Sequence, residues 1–223
     1  QGAVRFLDIS QDGKHVLSGS DDKTCKLWSL AEGKCLASWR MHKKLSAGSF
    51  SADSAYALFA DKFGDVAIAA TGSGAAGQDV PSAQPELLLG HLCSVVSSVA
   101  VSPDNRFVAT ADRDGRIRVS ALPAEPLKGA YQIQSYCLGH RNYATSAAFV
   151  PAPPNVTDQQ VLMVSGSGDG SVRLWDAASG QLFHTFVAAP PREAAVTAPS
   201  ASAGEGPVEE EGLAAGEEGA GEE

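Results

Sequence analysis

Short apolar-rich segments alternate with polar turns along most of this chain. Residues 4–10 read Val-Arg-Phe-Leu-Asp-Ile-Ser, and residues 15–20 follow a Gln-Asp-Gly-Lys turn. Near the other end, residues 161–167 and 172–176 have the composition of two strands, and they flank the dipeptide Asp169-Gly170. Glycine supplies a positive φ cheaply in such a tight turn. Because helical patterns are weak and strand patterns recur, the chain is predicted to be all-β.

A fixed spacing of Ser, Asp and Trp recurs among these strands. The aspartate follows the serine by four residues and precedes the tryptophan by six. The spacing occurs in two sets, which are Ser18, Asp22 and Trp28, and then Ser165, Asp169 and Trp175. Gly139-His140 precedes the second set, and Trp175-Asp176 closes it. Gly-His and Trp-Asp pairs mark WD repeats, each of which forms a four-stranded blade of a β-propeller.

In a WD repeat this spacing lets His, Ser, Asp and Trp share one buried hydrogen-bond network. His140, Ser165, Asp169 and Trp175 are predicted to form one. A Ser-His-Asp hydrolase triad is the alternative, but the set recurs along the chain and Ser165 lacks a nucleophile elbow. The third repeat contributes a related set, His91, Thr110 and Asp114, with Ser120 in place of Trp.

Four repeats are predicted within a propeller domain of residues 1–187: about 4–39, 45–71, 89–122 and 137–186. The second repeat is degenerate, because Phe63 and Ala69 stand where Asp and Trp are expected, and its polar network should be lost. Two stretches rich in small residues and proline, residues 71–86 and 151–160, are predicted to be surface loops inserted in blades.

WD propellers usually close with about seven blades. The first repeat has no Gly-His before it, and the chain starts at Gln1 without an initiator methionine. An open arc would expose sheet faces and unpaired edges. We therefore expect a fragment with about four of seven blades.

The formal net charge of −9 is unevenly distributed. Residues 188–223 hold nine Glu and one Arg, which leaves 17 acids and 16 bases in the other 187 residues. The propeller is therefore near neutral and is not predicted to be a basic nucleic-acid platform. The Ala/Gly/Glu-rich tail, residues 188–223, is predicted to be disordered. An acidic arm that screens against non-specific RNA, or docks on a basic partner, is the alternative.

The four cysteines form no Cys-x-x-Cys pair and no zinc-binding spacing with histidine. We expect reduced thiols and no metal site. No segment reaches the roughly 18 apolar residues of a membrane helix, and no signal peptide is recognisable.

One stretch resembles a particular WD family. It contains Leu89-Gly90-His91, then Ala-Asp-Arg-Asp-Gly-Arg-Ile-Arg-Val-Ser at 111–120, then Leu-Gly-His at 138–140. With Ala-Asp-Lys-Phe-Gly-Asp-Val at 60–66, it is similar to the non-catalytic subunit of the tRNA (guanine-N7)-methyltransferase complex. The serine in place of tryptophan is the more specific mark.

The resemblance implies a scaffold that performs no chemistry. Such a subunit binds a Rossmann-type methyltransferase, which carries the S-adenosylmethionine site, and stabilises it for methylation of N7 of a guanosine in the tRNA variable loop. The resemblance implies that Arg118 pairs with an acid of the enzyme, with Lys62 and Arg113 as further candidates. It also implies a nuclear protein with some cytoplasmic pool, tRNA bound through the complex, and no cofactor on this chain.

Two alternatives stay open at this point. Lys26 and Arg173 occupy the place of Arg118 in other repeats, so Arg118 could be a consensus residue whose head is solvated or pairs with Asp112 or Asp114. The whole chain could instead be a WD adaptor in another complex, such as a ubiquitin-ligase substrate receptor. An enzyme is disfavoured, because no glycine-rich cofactor loop or carboxylate pair stands out.

Overall fold

A computed structural model describes residues 2–72, 81–82, 84–91, 94–150 and 161–187. These residues form sixteen strands and one short 3-10 turn, Pro126–Lys128. Blade 1 contains β1 (Val4–Ile9), β2 (His15–Ser20), β3 (Thr24–Ser29) and β4 (Lys34–Arg40). Blade 2 contains β5 (Leu45–Phe50), β6 (Tyr56–Asp61), β7 (Asp65–Ala70) and β8 (Glu86–Gly90). Blade 3 contains β9 (Val96–Val101), β10 (Phe107–Asp112), β11 (Ile117–Ala121) and β12 (Ile133–Cys137). Blade 4 contains β13 (Ala144–Phe149), β14 (Leu162–Ser167), β15 (Ser171–Asp176) and β16 (Gln181–Val187).

Each blade is a four-stranded antiparallel meander in which consecutive strands pair. The predicted all-β, partial propeller architecture is therefore confirmed. Two predicted repeat ends were too early: the fourth strands of blades 2 and 3 lie beyond residues 71 and 122. In both blades a long connection precedes this strand, and the sequence pattern stopped at the connection. In the described part of the chain, no helix is long and apolar enough to cross a membrane.

The predicted loops and tail are only partly within the described residues. Residues 73–80, 83, 151–160 and 188–223 lie outside them. The first loop falls between β7 and β8, and the second between β13 and β14. One end of the first loop is held in place, because the Trp39 indole donates to the carbonyl of Ser82 at 2.8 Å.

The turns between the first and second strands repeat one hydrogen-bond pattern in blades 1 to 3. A serine hydroxyl donates to an aspartate two residues later at 2.6 Å; the pairs are Ser10–Asp12, Ser51–Asp53 and Ser102–Asp104. Neighbouring turns are also joined, since the Ala52 N–H donates to Asn105 Oδ1 at 2.8 Å. These side chains satisfy turn backbone groups that strand pairing leaves open.

Apolar side chains between neighbouring blades form three cores, one at each blade boundary. We call the side of a blade that packs on the following blade its rear face, and the opposite side its front face. Four equivalent rear-face positions are at most 2% exposed in each of the first three blades. They are Leu17, Cys25, Leu27 and Trp39 in blade 1, Leu58, Val66, Ile68 and Leu89 in blade 2, and Ala109, Ile117, Val119 and Cys137 in blade 3. Their equivalence follows from strand register, because Leu17↔Leu27, Leu58↔Ile68 and Ala109↔Val119 are matching pairs.

The boundary between blades 1 and 2 depends on two glycines. A Cβ added to Gly19 or to Gly48 would overlap the ring of Phe6. The Phe6 ring therefore packs against both blades, and this close approach requires the absence of side chains at both positions.

Candidate functional site

Blade 4 brings together the four side chains that the spacing singled out. His140 Nε2 lies 2.8 Å from Ser165 Oγ, and its Nδ1 lies 3.1 Å from Asp169 Oδ2. The Trp175 indole N–H donates to the same serine oxygen at 2.8 Å. The side chains of His140 and Trp175 are 0% exposed. Both imidazole nitrogens are engaged and water is excluded, so this network holds the blade together and offers no accessible nucleophile.

Asp169 is held in its charged form by this network. Burial alone would raise the pKa of its carboxyl, but hydrogen bonds from Ser171 and from the backbone N–H of Arg141 outweigh that effect. The resulting pKa lies well below the usual range of an aspartate.

Blade 1 contains part of the same network. The Trp28 indole donates to Ser18 Oγ at 2.8 Å. Asp22 accepts from the backbone N–H of Thr24 at 3.0 Å and caps its own turn. A cavity of about 170 Å³ opens beside Ser18, Asp22 and Trp28. The tryptophan–serine contact therefore forms in this blade, but at a site with room for solvent.

In blade 3 the structure corrects the prediction of Asp114. His91 Nε2 lies 2.6 Å from Thr110 Oγ1, as the spacing required, but its Nδ1 lies 3.4 Å from Asp112. Asp114 is exposed in the turn. Asp112 Oδ1 accepts the backbone N–H groups of Asp114 and Arg116, at 2.9 and 3.0 Å.

The residue at the end of the second strand decides which aspartate meets the histidine. In blade 4 this residue is Ser167, which caps the turn and leaves the next acid, Asp169, to reach the imidazole. In blade 3 it is Asp112 itself. Blade 2 has Asp61 there, 2% exposed and accepting the backbone N–H of Phe63 at 2.8 Å. Blade 2 therefore keeps a buried turn cap, whereas Phe59 and Ala69 stand at the Ser and Trp positions of the network.

Arg118 lies next to the network of blade 3. Its Nε donates to Ser120 Oγ at 2.9 Å, and its Nη1 donates to the carbonyl of Gly90 at 3.1 Å. The side chain is half-buried, and burial lowers the pKa of its guanidinium. Among the described residues no carboxylate forms an ion pair with it, so the predicted alternative of pairing with Asp112 or Asp114 is not seen.

The equivalent cations of the other blades are placed differently. Lys26 Nζ lies 5.5 Å from the ring centre of Trp28, and the Arg173 guanidinium lies 5.9 Å from that of Trp175. Both positions allow a cation–π contact. Blade 3 has Ser120 instead of tryptophan, so Arg118 has no tryptophan ring at that position for a cation–π contact. A small side chain at this one position therefore frees the guanidinium for another partner.

The space beside Arg118 is a cavity of about 200 Å³. Its lining includes Arg116 and Tyr136 as well as His91 and Asp112. Arg116 is exposed, Tyr136 is 45% exposed, and the carboxylate of Asp112 is already engaged by backbone donors and His91. Two guanidinium groups at one cavity suit a carboxylate or another oxyanion from a partner.

Comparison with known proteins matches the chain to two families. The tRNA methyltransferase TRM82 WD40 domain matches residues 67–209, which is more than half of the chain. The chain belongs to this TRM82 WD40 family. The general WD domain, G-beta repeat, matches residues 1–29.

Several relatives of this TRM82-family chain are named as non-catalytic subunits of a tRNA (guanine-N(7)-)-methyltransferase. It is 30% identical over 210 residues to the tRNA (guanine-N(7)-)-methyltransferase non-catalytic subunit wdr4 of Dictyostelium discoideum, which covers 89% of this chain and 42% of that protein. It is 36% identical over 183 residues to the Homo sapiens subunit WDR4, covering 82% and 40%. The subunit wuho of Drosophila grimshawi is 36% identical over 164 residues, covering 70% and 36%. The chain thus spans less than half of the length of these relatives.

The other two predicted partner-binding residues of this TRM82-family chain do not line the cavity beside Arg118. Lys62 Nζ is 3.4 Å from Asp21 of blade 1, which also pairs with Arg5. The hydrogen bond from Arg5 is the main cause that lowers the pKa of Asp21 to about 2. Lys62 therefore already has an intramolecular partner, whereas the side chain of Arg113 is exposed. Their roles in partner binding stay predictions.

The described cysteines are free thiols. Cys25 and Cys137 are buried in blade cores, and burial raises the pKa of Cys137 to about 12. Among the described residues, no group of three or more His, Cys, Asp or Glu side chains has a metal-binding arrangement. Sequence reasoning named Ser120 only as the replacement for tryptophan and Asp112 only as an alternative partner of Arg118. It missed that Asp112 is the acid that meets His91, although Asp at the strand end in blades 2 and 3 was a readable signal.

Proposed function

We propose that this chain is part of a non-catalytic scaffold subunit of a tRNA (guanine-N7)-methyltransferase. Its role is to bind the catalytic subunit and stabilise it in its active arrangement. The S-adenosylmethionine site and the transfer of the methyl group to N7 of guanosine belong to the catalytic partner. Membership of the TRM82 WD40 family and the printed names of its relatives support this proposal.

The observation that carries the proposal concerns the guanidinium of Arg118, which donates to Ser120 and to the carbonyl of Gly90 but forms no ion pair with a carboxylate among the described residues. Blades 1 and 4 hold the equivalent cation over a tryptophan ring, whereas Ser120 leaves Arg118 beside a cavity with a second arginine, Arg116. A half-buried guanidinium that has lost part of its hydration and has no carboxylate partner carries a desolvation cost. An acidic side chain of a bound partner would offset that cost by forming an ion pair with it. We therefore propose that Arg118 pairs with an acidic side chain of the catalytic subunit.

The experiment coexpresses the protein with its own guanine-N7 methyltransferase and measures N7-methylguanosine in total tRNA. Arg118→Glu is compared with Lys26→Glu, the matched position in blade 1. For a buried interface pair the loss of binding should be about 2–5 kcal/mol, or at least roughly 30-fold, whereas a pair at the rim would cost less than about 1 kcal/mol. We expect complex formation and methylation to be lost with Arg118→Glu and kept with Lys26→Glu.

Two outcomes would contradict the proposal at different levels. If both variants bind and activate like the wild type, Arg118 is a consensus residue and the interface lies elsewhere. If the wild-type protein neither binds nor activates the enzyme, the scaffold function itself is refuted. Ubiquitin-ligase components recovered in its place by copurification would then identify a WD adaptor. A nuclear location also remains a proposal, which fluorescence imaging of the tagged protein would test.

A further inference from the structure

The edge of the blades that carries Arg118 is continuous from blade 1 to blade 3. Because the strands of each meander alternate in direction, the turns between second and third strands lie at the same edge as the connections between blades. Backbone hydrogen bonds of 2.8–2.9 Å join these segments, from Met41 to Lys23, from Lys62 to Lys44 and from His91 to Gly64. Arg118 donates to the carbonyl of Gly90, next to the last of these bonds. We call this edge the Arg118 edge.

The cations of the two edges differ in their partners. At the opposite edge, every lysine and arginine in the described part of the chain pairs with a nearby acid. These pairs are Lys14–Asp12, Lys34–Glu32, Arg106–Asp104 and Lys128–Glu125. At the Arg118 edge, residues 40–44 read Arg-Met-His-Lys-Lys, and Arg40, Lys43 and Lys44 are exposed. Within the described ranges, these three side chains form no ion pair.

The nearby aspartates do little to neutralise this segment. Asp21 is paired with Arg5 and Lys62, and Asp61 is buried and caps its own turn. Asp65 is exposed in the same turn. The exposed charge around residues 40–44 is therefore predominantly positive. The sequence predicted no basic platform because acids and bases nearly balance over residues 1–187, but the fold separates part of that charge between the two edges.

An exposed aromatic ring lies within this positive region. Phe63 is 60% exposed in the turn between β6 and β7, and Lys43 Nζ lies 4.2 Å from the centre of its ring. A single exposed apolar side chain is ordinary, but an exposed ring among lysines has the chemistry of an RNA contact. Bases stack on aromatic rings while phosphates contact the cations. An acidic protein surface would match the lysines but not the ring.

We propose that Arg40, Lys43, Lys44 and Phe63, which we call the basic patch, bind RNA through its phosphate backbone and an unstacked base. The identity of this RNA as the substrate tRNA rests on the proposed function. The turn that holds Phe63 is joined through Gly64 and His91 to the segment that Arg118 contacts. A tRNA held by a catalytic subunit at Arg118 can therefore extend along the same edge to the basic patch.

The test compares two double variants that change the charge equally. Lys43→Glu with Lys44→Glu reverses the patch, and Lys14→Glu with Lys34→Glu reverses two lysines of the opposite edge, each with a side chain 73% exposed. Each is coexpressed with the guanine-N7 methyltransferase, and copurification, kcat and KM are measured with total tRNA. For the patch variant we expect KM to rise at least about tenfold, with kcat and complex formation unchanged. The control should match the wild type.

Salt dependence separates the two parts of the contact. A lysine that contacts a phosphate adds roughly 0.7–0.9 to the slope of log affinity against log salt concentration. Lys43→Gln with Lys44→Gln should therefore lower this slope by about 1.5. Phe63→Ala should weaken binding of total tRNA and leave the slope unchanged, because stacking releases no counterions. Circular dichroism checks that these exposed substitutions leave the fold intact.

The failure of this inference and the failure of the proposed function give different results. An unchanged KM for the patch variant, or an equal rise for the control, would overturn the inference. Loss of complex formation would overturn it too, and would assign the patch to the protein partner. If the wild-type chain forms no complex, the proposed function fails, and filter binding of total tRNA to the chain alone decides the inference. Weaker retention by the patch variant than by the control supports it, and equal retention overturns it.

Discussion

Replacing Ser165 with alanine tests how much the buried network of blade 4 stabilises the fold. Ser165 is 2% exposed, and its hydroxyl oxygen joins the Trp175 indole N–H to the imidazole of His140, each at 2.8 Å. The substitution removes one atom and creates almost no cavity. It leaves two fully buried polar groups without that partner, and each stranded group costs about 1–3 kcal/mol. We expect the free energy of unfolding to fall by about 2–6 kcal/mol.

Ser18→Ala in blade 1 is the matched control. Ser18 accepts the Trp28 indole N–H at the same distance, 2.8 Å, but this pair lines a cavity of about 170 Å³ where water can replace the hydroxyl. The expected loss is about 1 kcal/mol, the net value of an ordinary hydrogen bond.

Urea unfolding at a fixed protein concentration, followed by circular dichroism, gives both free energies by linear extrapolation. If Ser165→Ala lowers the free energy of unfolding by no more than Ser18→Ala does, the argument that burial determines how much the network stabilises the fold is refuted. A change in the slope with urea would indicate instead that the variant alters the denatured or native ensemble.

Two further predictions concern blade 3 and the boundary between blades 1 and 2. Burial lowers the pKa of His91 despite the nearby charge of Asp112. As the pH drops below about 6.5, the histidine is therefore protonated more readily in the unfolded chain than in the folded chain, and the free energy of unfolding should fall. Urea unfolding at pH 7.5 and 5.5 should show a smaller difference for His91→Gln than for the wild type, and equal differences would contradict the prediction. Gly48→Ala should cost about 1–3 kcal/mol, because the added Cβ overlaps the Phe6 ring and lies 2.9 Å from the carbonyl oxygen of Leu58. If the clash with Phe6 is the cause, Phe6→Leu should cost less in the Gly48→Ala background than alone, and strictly additive losses would exclude it.

Much of the fold could be predicted because its signals are local. Alternating strand patterns and turn residues are read from neighbours in the chain, and the predicted strand over residues 161–167 is observed as Leu162–Ser167. The repeat spacing likewise indicated that Ser165 and Trp175 would meet, since the hairpin between β14 and β15 sets their relative positions. His140 reaches them from the segment that precedes β13. Element ends were less predictable where long connections interrupt the pattern.

What the sequence determined by itself is the repeat: its strands, its turns and the positions that return in each blade. Only the tertiary structure decided which of two acids, Asp112 or Asp114, meets His91, because the choice depends on which side chain caps the turn. It also decided that Arg118 differs from Lys26 and Arg173. All three occupy the same place in the repeat, but only the folded structure shows their contacts: Lys26 and Arg173 lie within cation–π distance of a tryptophan ring, whereas Arg118 donates to Ser120 and to the carbonyl of Gly90.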